Sequence, residues 1–170
     1  MESWKAFDQN TVSHSVAHHL VTIAELLDEY GYARVSDVAR RLEITRGSAS
    51  ITLKGLKKRG LVVDDSRRFL GLSEEGMQIA RSIQARKKVM LRFLVHVLGV
   101  APEQADIDTC KIEHLISGET ADLTGKLLDF LESGSDEAVA FRKSFTKFRE
   151  RAETNPEYYP PDEEPTEGAA

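Results

Sequence analysis

The sequence predicts a mainly α chain whose N-terminal half carries one short β-hairpin and whose C-terminal half is all helix. Three observations predict it. Apolar residues recur every three to four positions from His14 to Arg59; between Leu61 and Leu72 that spacing gives way to two short apolar runs around a polar turn; after Ser73 helical spacing resumes, with no alternating strand pattern beyond Leu131. At 170 residues, 41% of them apolar, the chain suits one domain or two small ones, each with its own core.

Each element has a local reason. Val16, Leu20, Ile23, Leu26 and Leu27 fall on one face of a helix over His14 to Tyr30, which Gly31 ends. A second helix follows with Ser36 as N-cap and Val38, Ala39 and Leu42 as its buried side. Glu43-Ile44-Thr45 separates it from a third, Arg46 to Arg59, capped by Thr45, with Ala49, Ile51 or Thr52, Leu53 and Leu56 inward and Gly60 as its stop. Leu61 to Val63 and Phe69 to Leu72 read as a hairpin around Asp64 to Arg68. Ser73-Glu74-Glu75 opens a long helix ending at Gly99. Pro102 starts a helix around Glu103 to Ile116, and Ser117-Gly118 starts another that reaches Leu131. Ser133 to Asp136 is a break before a last helix, Ala138 to Arg151, and the Pro- and Glu-rich end reads as disordered.

Several function classes drop out. One cysteine makes no internal disulfide, which argues against a secreted disulfide scaffold and for the reducing cytoplasm. Met1 to Asp8 lacks the basic and apolar parts of a secretory signal. The longest apolar stretch, Phe93 to Ala101, is far below the roughly 20 residues that cross a bilayer, so no membrane partner is expected. The net charge of −5 hides a segregation: Arg34 to Arg92 holds fifteen Lys/Arg against six Asp/Glu, whereas Ala101 to the end holds seven against seventeen. The first stretch suits a polyanion, although basic residues also solvate helix faces with no partner at all.

Helix, helix, three-residue turn, helix, hairpin is the order of a winged helix-turn-helix, which lays its third helix in the DNA major groove. Thr45, Arg46, Ser48 and Ser50 stand at the start of that helix. Lys54, Lys57, Lys58 and Arg59 continue its positive side, and Arg67 and Arg68 sit at the hairpin tip, within reach of phosphate or minor groove. Arg46 is the candidate base reader, since guanidinium pairs bidentately with guanine. Such three-helix modules also serve protein interaction, and the basic surplus on the DNA-facing elements decides for double-stranded DNA.

The most specific chemical feature is Cys110-Lys111-Ile112-Glu113-His114. Positions i, i+3 and i+4 share a helix face, so thiolate, carboxylate and imidazole can converge on one ion. Such a set suits Fe²⁺, Co²⁺, Ni²⁺ or Zn²⁺ better than Mg²⁺ or Ca²⁺. His18, with His14 one turn before it, is the evident fourth donor. The same residues read alternatively as a small buried hydrophobe beside an exposed Glu-His pair. As a nucleophile, base and orienter they lack oxyanion donors and a second wall for a substrate, so no enzyme is expected.

The runs Glu25 to Leu42, Lys54-Gly-Leu-Lys-Lys-Arg-Gly-Leu-Val62 and Leu72-Ser-Glu-Glu-Gly76 resemble the diphtheria toxin repressor and manganese transport regulator family over about residues 14 to 131. The resemblance implies an N-terminal winged helix on operator DNA, helices that make a homodimer, and Fe²⁺ or Mn²⁺ bound between them as the switch. It places the ligands at Cys110, Glu113 and His114, with a further ligand from the first helix at His18, where Met or Asp is usual in the family. The family's second site, a His and a Glu four residues later on the long helix, falls here on Lys87 and Leu91, and one more ancillary ligand falls on Asp106. One ion per subunit, or a site rebuilt with His14, is therefore expected.

The organisation expected is residues 1–76 as winged helix-turn-helix, 77–132 as the helical dimerisation and metal-binding domain, 133–152 as an additional helix and 153–170 as a disordered acidic tail. Met90, Phe93, Leu94, Val97 and Leu98 would form the dimer contact, and a two-fold protein implies a palindromic operator. His96 is expected in a core or interface, His19 in solvent or behind His18, and Trp4 and Phe7 as anchors of the N-terminal extension. The rival function is a metal-independent winged-helix regulator whose sensor has degenerated.

Overall fold

The computed structural model describes residues 12–152; the anchors Trp4 and Phe7 and the acidic tail lie outside them. The chain divides after Leu128 into two units. The first holds α1 (His14–Tyr30), α2 (Val35–Arg41), α3 (Arg46–Lys58), β1 (Val62–Asp64), β2 (Leu70–Leu72), α4 (Glu74–Arg92), a π-helical turn over Phe93–Leu98 and α5 (Pro102–Ile112). Helix α6 (Gly118–Glu132) runs on into the second, which also holds α7 (Asp136–Arg151).

Caps set the helix ends. Ser13, Thr45, Ser73 and Ser135 each accept a backbone N–H from the first turn of α1, α3, α4 and α7. Helix α2 differs from expectation: Arg34 holds its cap position without a side-chain hydrogen bond, and Ser36 is already helical. The first turn of α2 gains instead from Asp37, whose carboxylate faces the helix dipole and pairs with Arg40.

One core joins these elements. Leu20, Ile23 and Leu26 of α1 meet Val38 and Ala39 of α2, Ala49, Leu53 and Leu56 of α3, Leu61, Val62 and Leu70 of the hairpin, and Ala80 of α4. Each buried leucine or isoleucine contributes roughly 1.5–3 kcal/mol relative to exposure. On α3 the choice falls on Thr52, half-buried, while Ile51 is 76% exposed.

The hairpin pairs antiparallel, Val62 with Leu72, Val63 with Gly71 and Asp64 with Leu70. Ala33 adds a bridge, its carbonyl accepting the Leu70 N–H at 2.8 Å. The Asp65 carboxylate builds the turn by accepting from the Arg67 and Phe69 N–H groups, both at 2.8 Å. Gly76 has a packing reason: a Cβ there would stand 2.2 Å from the Leu61 carbonyl oxygen, the same oxygen that accepts from the Ser73 N–H at 3.1 Å. This contact locks the start of α4 onto the end of the α3 connection.

Helix α4 is regular to Arg92 and then widens into the π-helical turn, which Gly99 closes at φ 70°. His96 is exposed on that turn, so within the single chain it does not take the core position, one of the two expected of it. His19 is 3% exposed, its Nδ1–H donating to the Ser15 carbonyl at 2.7 Å, so it is a core histidine and not a solvent-facing one.

Candidate metal centre and nucleic-acid interface

The candidate centre forms where α1 packs beside α4 and α5. His14 and His18 are one turn apart on α1, as their i, i+4 spacing requires. Cys110 stands in the last turn of α5, and His18 Nε2 lies 3.2 Å from Cys110 Sγ across 92 residues of sequence. Ligand atoms of His14, His18 and Cys110 all lie within 4.8 Å of one another. The His14 ring sits 4.3 Å from that of His18 and 5.2 Å from that of His114, centroid to centroid.

Glu113 and His114 lie beyond the last residue of α5, with Glu113 in helical geometry at its C-cap. Neither belongs to the tight group of three, although both border it. Glu113 is 3% exposed, and its Oε2 has no hydrogen-bond partner among the described residues.

The electrostatics suit ligation. Burial, and then His14, hold His18 and His114 below the ordinary imidazole range, which leaves both rings neutral near pH 7. Burial, and then the Glu113 charge, push the Cys110 thiol up. Burial likewise raises Glu113, against the pull of Lys87. The raised thiol and carboxyl mark acids whose anions lack the counter-charge a cation supplies, while the lowered imidazoles keep their lone pairs free for one.

The donors fit a divalent transition ion. Bond lengths of about 2.3 Å to sulfur and 2.0–2.1 Å to nitrogen give a tetrahedral N···S edge of about 3.6 Å, a few tenths of an ångström above the separation here. The buried oxygen of Glu113, without a partner among the described residues, is a further donor outside that group of three. Two imidazoles and a thiolate are a soft set, better matched to Fe²⁺, Co²⁺, Ni²⁺ or Zn²⁺ than to Mn²⁺. Sequence spacing pointed to Cys110 and His18; that His14 enters the tight group ahead of Glu113 depends on the packing of α1 on α5.

Within the same unit, α3 and its cap present Thr45, Arg46, Ser48, Ser50 and Lys54 exposed. Thr45 Oγ1 accepts the Ser48 N–H at 3.1 Å and lies 2.9 Å from Ser48 Oγ, and Ser50 Oγ donates to the Arg46 carbonyl at 2.7 Å. These hydroxyls therefore brace the helix start while staying at the surface. Lys57 is engaged within the chain, its Nζ 2.6 Å from both Asp64 carboxylate oxygens, which ties α3 to β1. Arg67 and Arg68 are exposed at the hairpin turn. Ile51, opposite the buried Ala49 and Leu53, is an apolar group on this otherwise polar face.

Comparison with known proteins gives the chain its relatives. Residues 73–138 match the family described as iron dependent repressor, metal binding and dimerisation domain. The HTH-type transcriptional regulator MntR of Bacillus pumilus is 32% identical over 128 residues, 75% of this chain and 88% of that protein. The solved metal-dependent transcriptional regulator MtsR superposes with a TM-score of 0.62 at 22% identity, over 71% of this chain and 55% of that one. A manganese-dependent transcriptional repressor in complex with manganese gives 0.57 at 22%, over 68% and 53%. The chain spans about half the length of these two solved proteins, and their likeness concerns the fold. On the strength of the shared sequence, the chain belongs to the diphtheria toxin repressor and manganese transport regulator family of metal-dependent transcriptional regulators.

Proposed function

We propose that this protein is a cytoplasmic, homodimeric transcriptional repressor that binds a palindromic operator when one divalent ion, Fe²⁺ ahead of Mn²⁺ on the softness of its donors, is held by His18, Cys110, Glu113 and His114 with His14 beside them. The observation that carries the reading is the approach of His18 Nε2 to Cys110 Sγ at 3.2 Å. Helix α1 brings His18 to the centre on one face and Leu20 and Ile23 to the core of the DNA-reading module on another. A group drawn toward Cys110 therefore also orients that module.

The bound ion supplies a positive charge that the lone pairs of two helices share. His18 and His114 would offer it neutral imidazoles, Cys110 a thiolate once its proton passes to solvent, and Glu113 the buried oxygen that has no partner among the described residues. An ion so held would fix helix α1 relative to α5 and, in the homodimer, set two reading modules at the spacing of successive major-groove half-sites, about 34–36 Å. Coupling of about 1–3 kcal/mol, or roughly 5- to 150-fold in operator affinity, is typical of such linkage. On DNA, Arg46 reads guanine, the exposed Ile51 packs on a thymine methyl, and Thr45, Ser48, Ser50, Lys54, Arg67 and Arg68 contact the backbone. The partly buried Met90, Phe93, Leu94 and Val97 continue into the dimer contact.

Operator binding measured with Fe²⁺, Mn²⁺ or Co²⁺ and again after chelation tests the reading. At least a fivefold loss on chelation, restored by the ion and abolished in Cys110→Ser, is the expected result. Equal affinity with and without ion returns the protein to the metal-independent class.

A further inference from the structure

Lys87, on the face of α4 turned toward α5, belongs to no ligand set, yet it pairs with α5 four residues before Cys110. Its Nζ lies 3.1 Å from Asp106 Oδ1. Its charge acts on His18, Cys110 and Glu113 alike. Asp106, Cys110 and Glu113 follow one another at i, i+4 and i+7 along α5 and its cap, a single stripe of groups that can each carry a negative charge. The next carboxylate felt by Glu113, that of Glu25, is exposed and has Arg41 at 4.0 Å.

The charges balance in one way. With Cys110 as thiolate and the imidazoles neutral, the stripe carries three negative charges. One divalent ion and the Lys87 ammonium offset them; a second divalent ion would leave two positive charges in excess beside the half-buried Cys110 and the buried Glu113, although Asp106 itself is exposed. Burial disfavours the ammonium, but the hydrogen bond and charge of Asp106 outweigh it and hold Lys87 protonated above its ordinary range.

We propose that Lys87 is a tethered resident cation of the metal centre: paired with Asp106, it completes the charge balance around a single divalent ion and keeps a second one out. This inference rests on the metal-dependent reading above and sets the stoichiometry and affinity of the same site.

The test is Co²⁺ titration of the full chain at neutral pH, followed by the thiolate-to-cobalt charge-transfer band and by elemental analysis of the dialysed protein. Wild type and Lys87→Arg are expected to hold one ion per chain. Lys87→Met, which keeps the length of the stem and loses the charge, is expected to hold two, and the double variant Lys87→Met with Asp106→Asn to return to one. A purely structural α4–α5 ion pair predicts the opposite pattern: Lys87→Met lowers the melting temperature, holds one ion at wild-type affinity, and gains nothing from the second substitution. That outcome overturns the proposal. Asp106→Asn alone, which leaves Lys87 unbalanced, is expected to bind the ion about tenfold more weakly; unchanged affinity there also overturns it, and this arm stands even where Lys87→Met does not fold. A wild-type chain that takes up no Co²⁺ sinks the metal-dependent reading itself, a result distinct from wild type and Lys87→Met each holding one.

Discussion

At the scale of single residues, Ile51 shows how burial separates two neighbours that periodicity treats alike. Thr52 is half-buried, and Ile51 is left exposed on the polar side of α3. An isoleucine with 76% of its surface exposed adds little to stability, so truncation is expected to change the melting free energy by less than about 0.5 kcal/mol. If it meets a thymine methyl, Ile51→Ala is expected to weaken operator binding about fivefold, close to 1 kcal/mol, with non-specific DNA binding unchanged. Parallel titrations with operator and scrambled duplex check this; an equal loss on both assigns Ile51 to general surface contact. The Cys110-Glu113-His114 spacing was legible as a ligand pattern because it is local. His14 was legible as a candidate for the same reason, one helical turn before His18; its place in the group of three ahead of Glu113 was not, because that depends on the rotation of α1 against α5, which no single helix encodes.

At the scale of elements, the join between the hairpin and α4 depends on one missing side chain. Gly76 lets α4 approach the Leu61 backbone, and the Leu61 carbonyl cannot yield without losing its bond to the Ser73 N–H. Gly76→Ala is expected to destabilise the fold by on the order of 2–3 kcal/mol and to lower the melting temperature accordingly, although alanine is the better helix former. A thermal unfolding curve superposing on wild type refutes the argument. Most elements were legible in the sequence, since apolar spacing, Ser and Thr caps and terminal glycines are all local signals. The exceptions have physical reasons. The start of α2 relies on the Asp37 charge instead of the Ser36 hydroxyl, and the end of α4 widens into a π-helical turn over Phe93–Leu98, a change of pitch that leaves the apolar pattern intact.

At the scale of the whole molecule, the response to pH follows from the site. His18 and His114 lie below the ordinary imidazole value, so their stability contribution is intact above the unfolded value of about 6.5 and is lost as pH falls below it. Protons and the ion compete for the same lone pairs in that range. Cys110 lies above the ordinary thiol value and keeps its proton at neutrality, so ligation expels it. Ion affinity is therefore expected to climb about tenfold per pH unit between pH 7 and 8 in wild type, and to become nearly flat there in Cys110→Ser. Calorimetry in two buffers of different ionisation enthalpy counts the protons released; zero in wild type contradicts the assignment of Cys110 as a ligand.

Helix α1 carries His18 one turn from its start and Leu26 near its far end, packed among α2, α3 and the hairpin. It is a stiff rod about 25 Å long. Such a rod works as a lever: a tilt of about 5° pivoting at the imidazole swings the Tyr30 end by about 1.5 Å. An adjustment too small to disturb the ligands thus becomes a step large enough to bring a guanidinium into or out of register with the edge of a base pair.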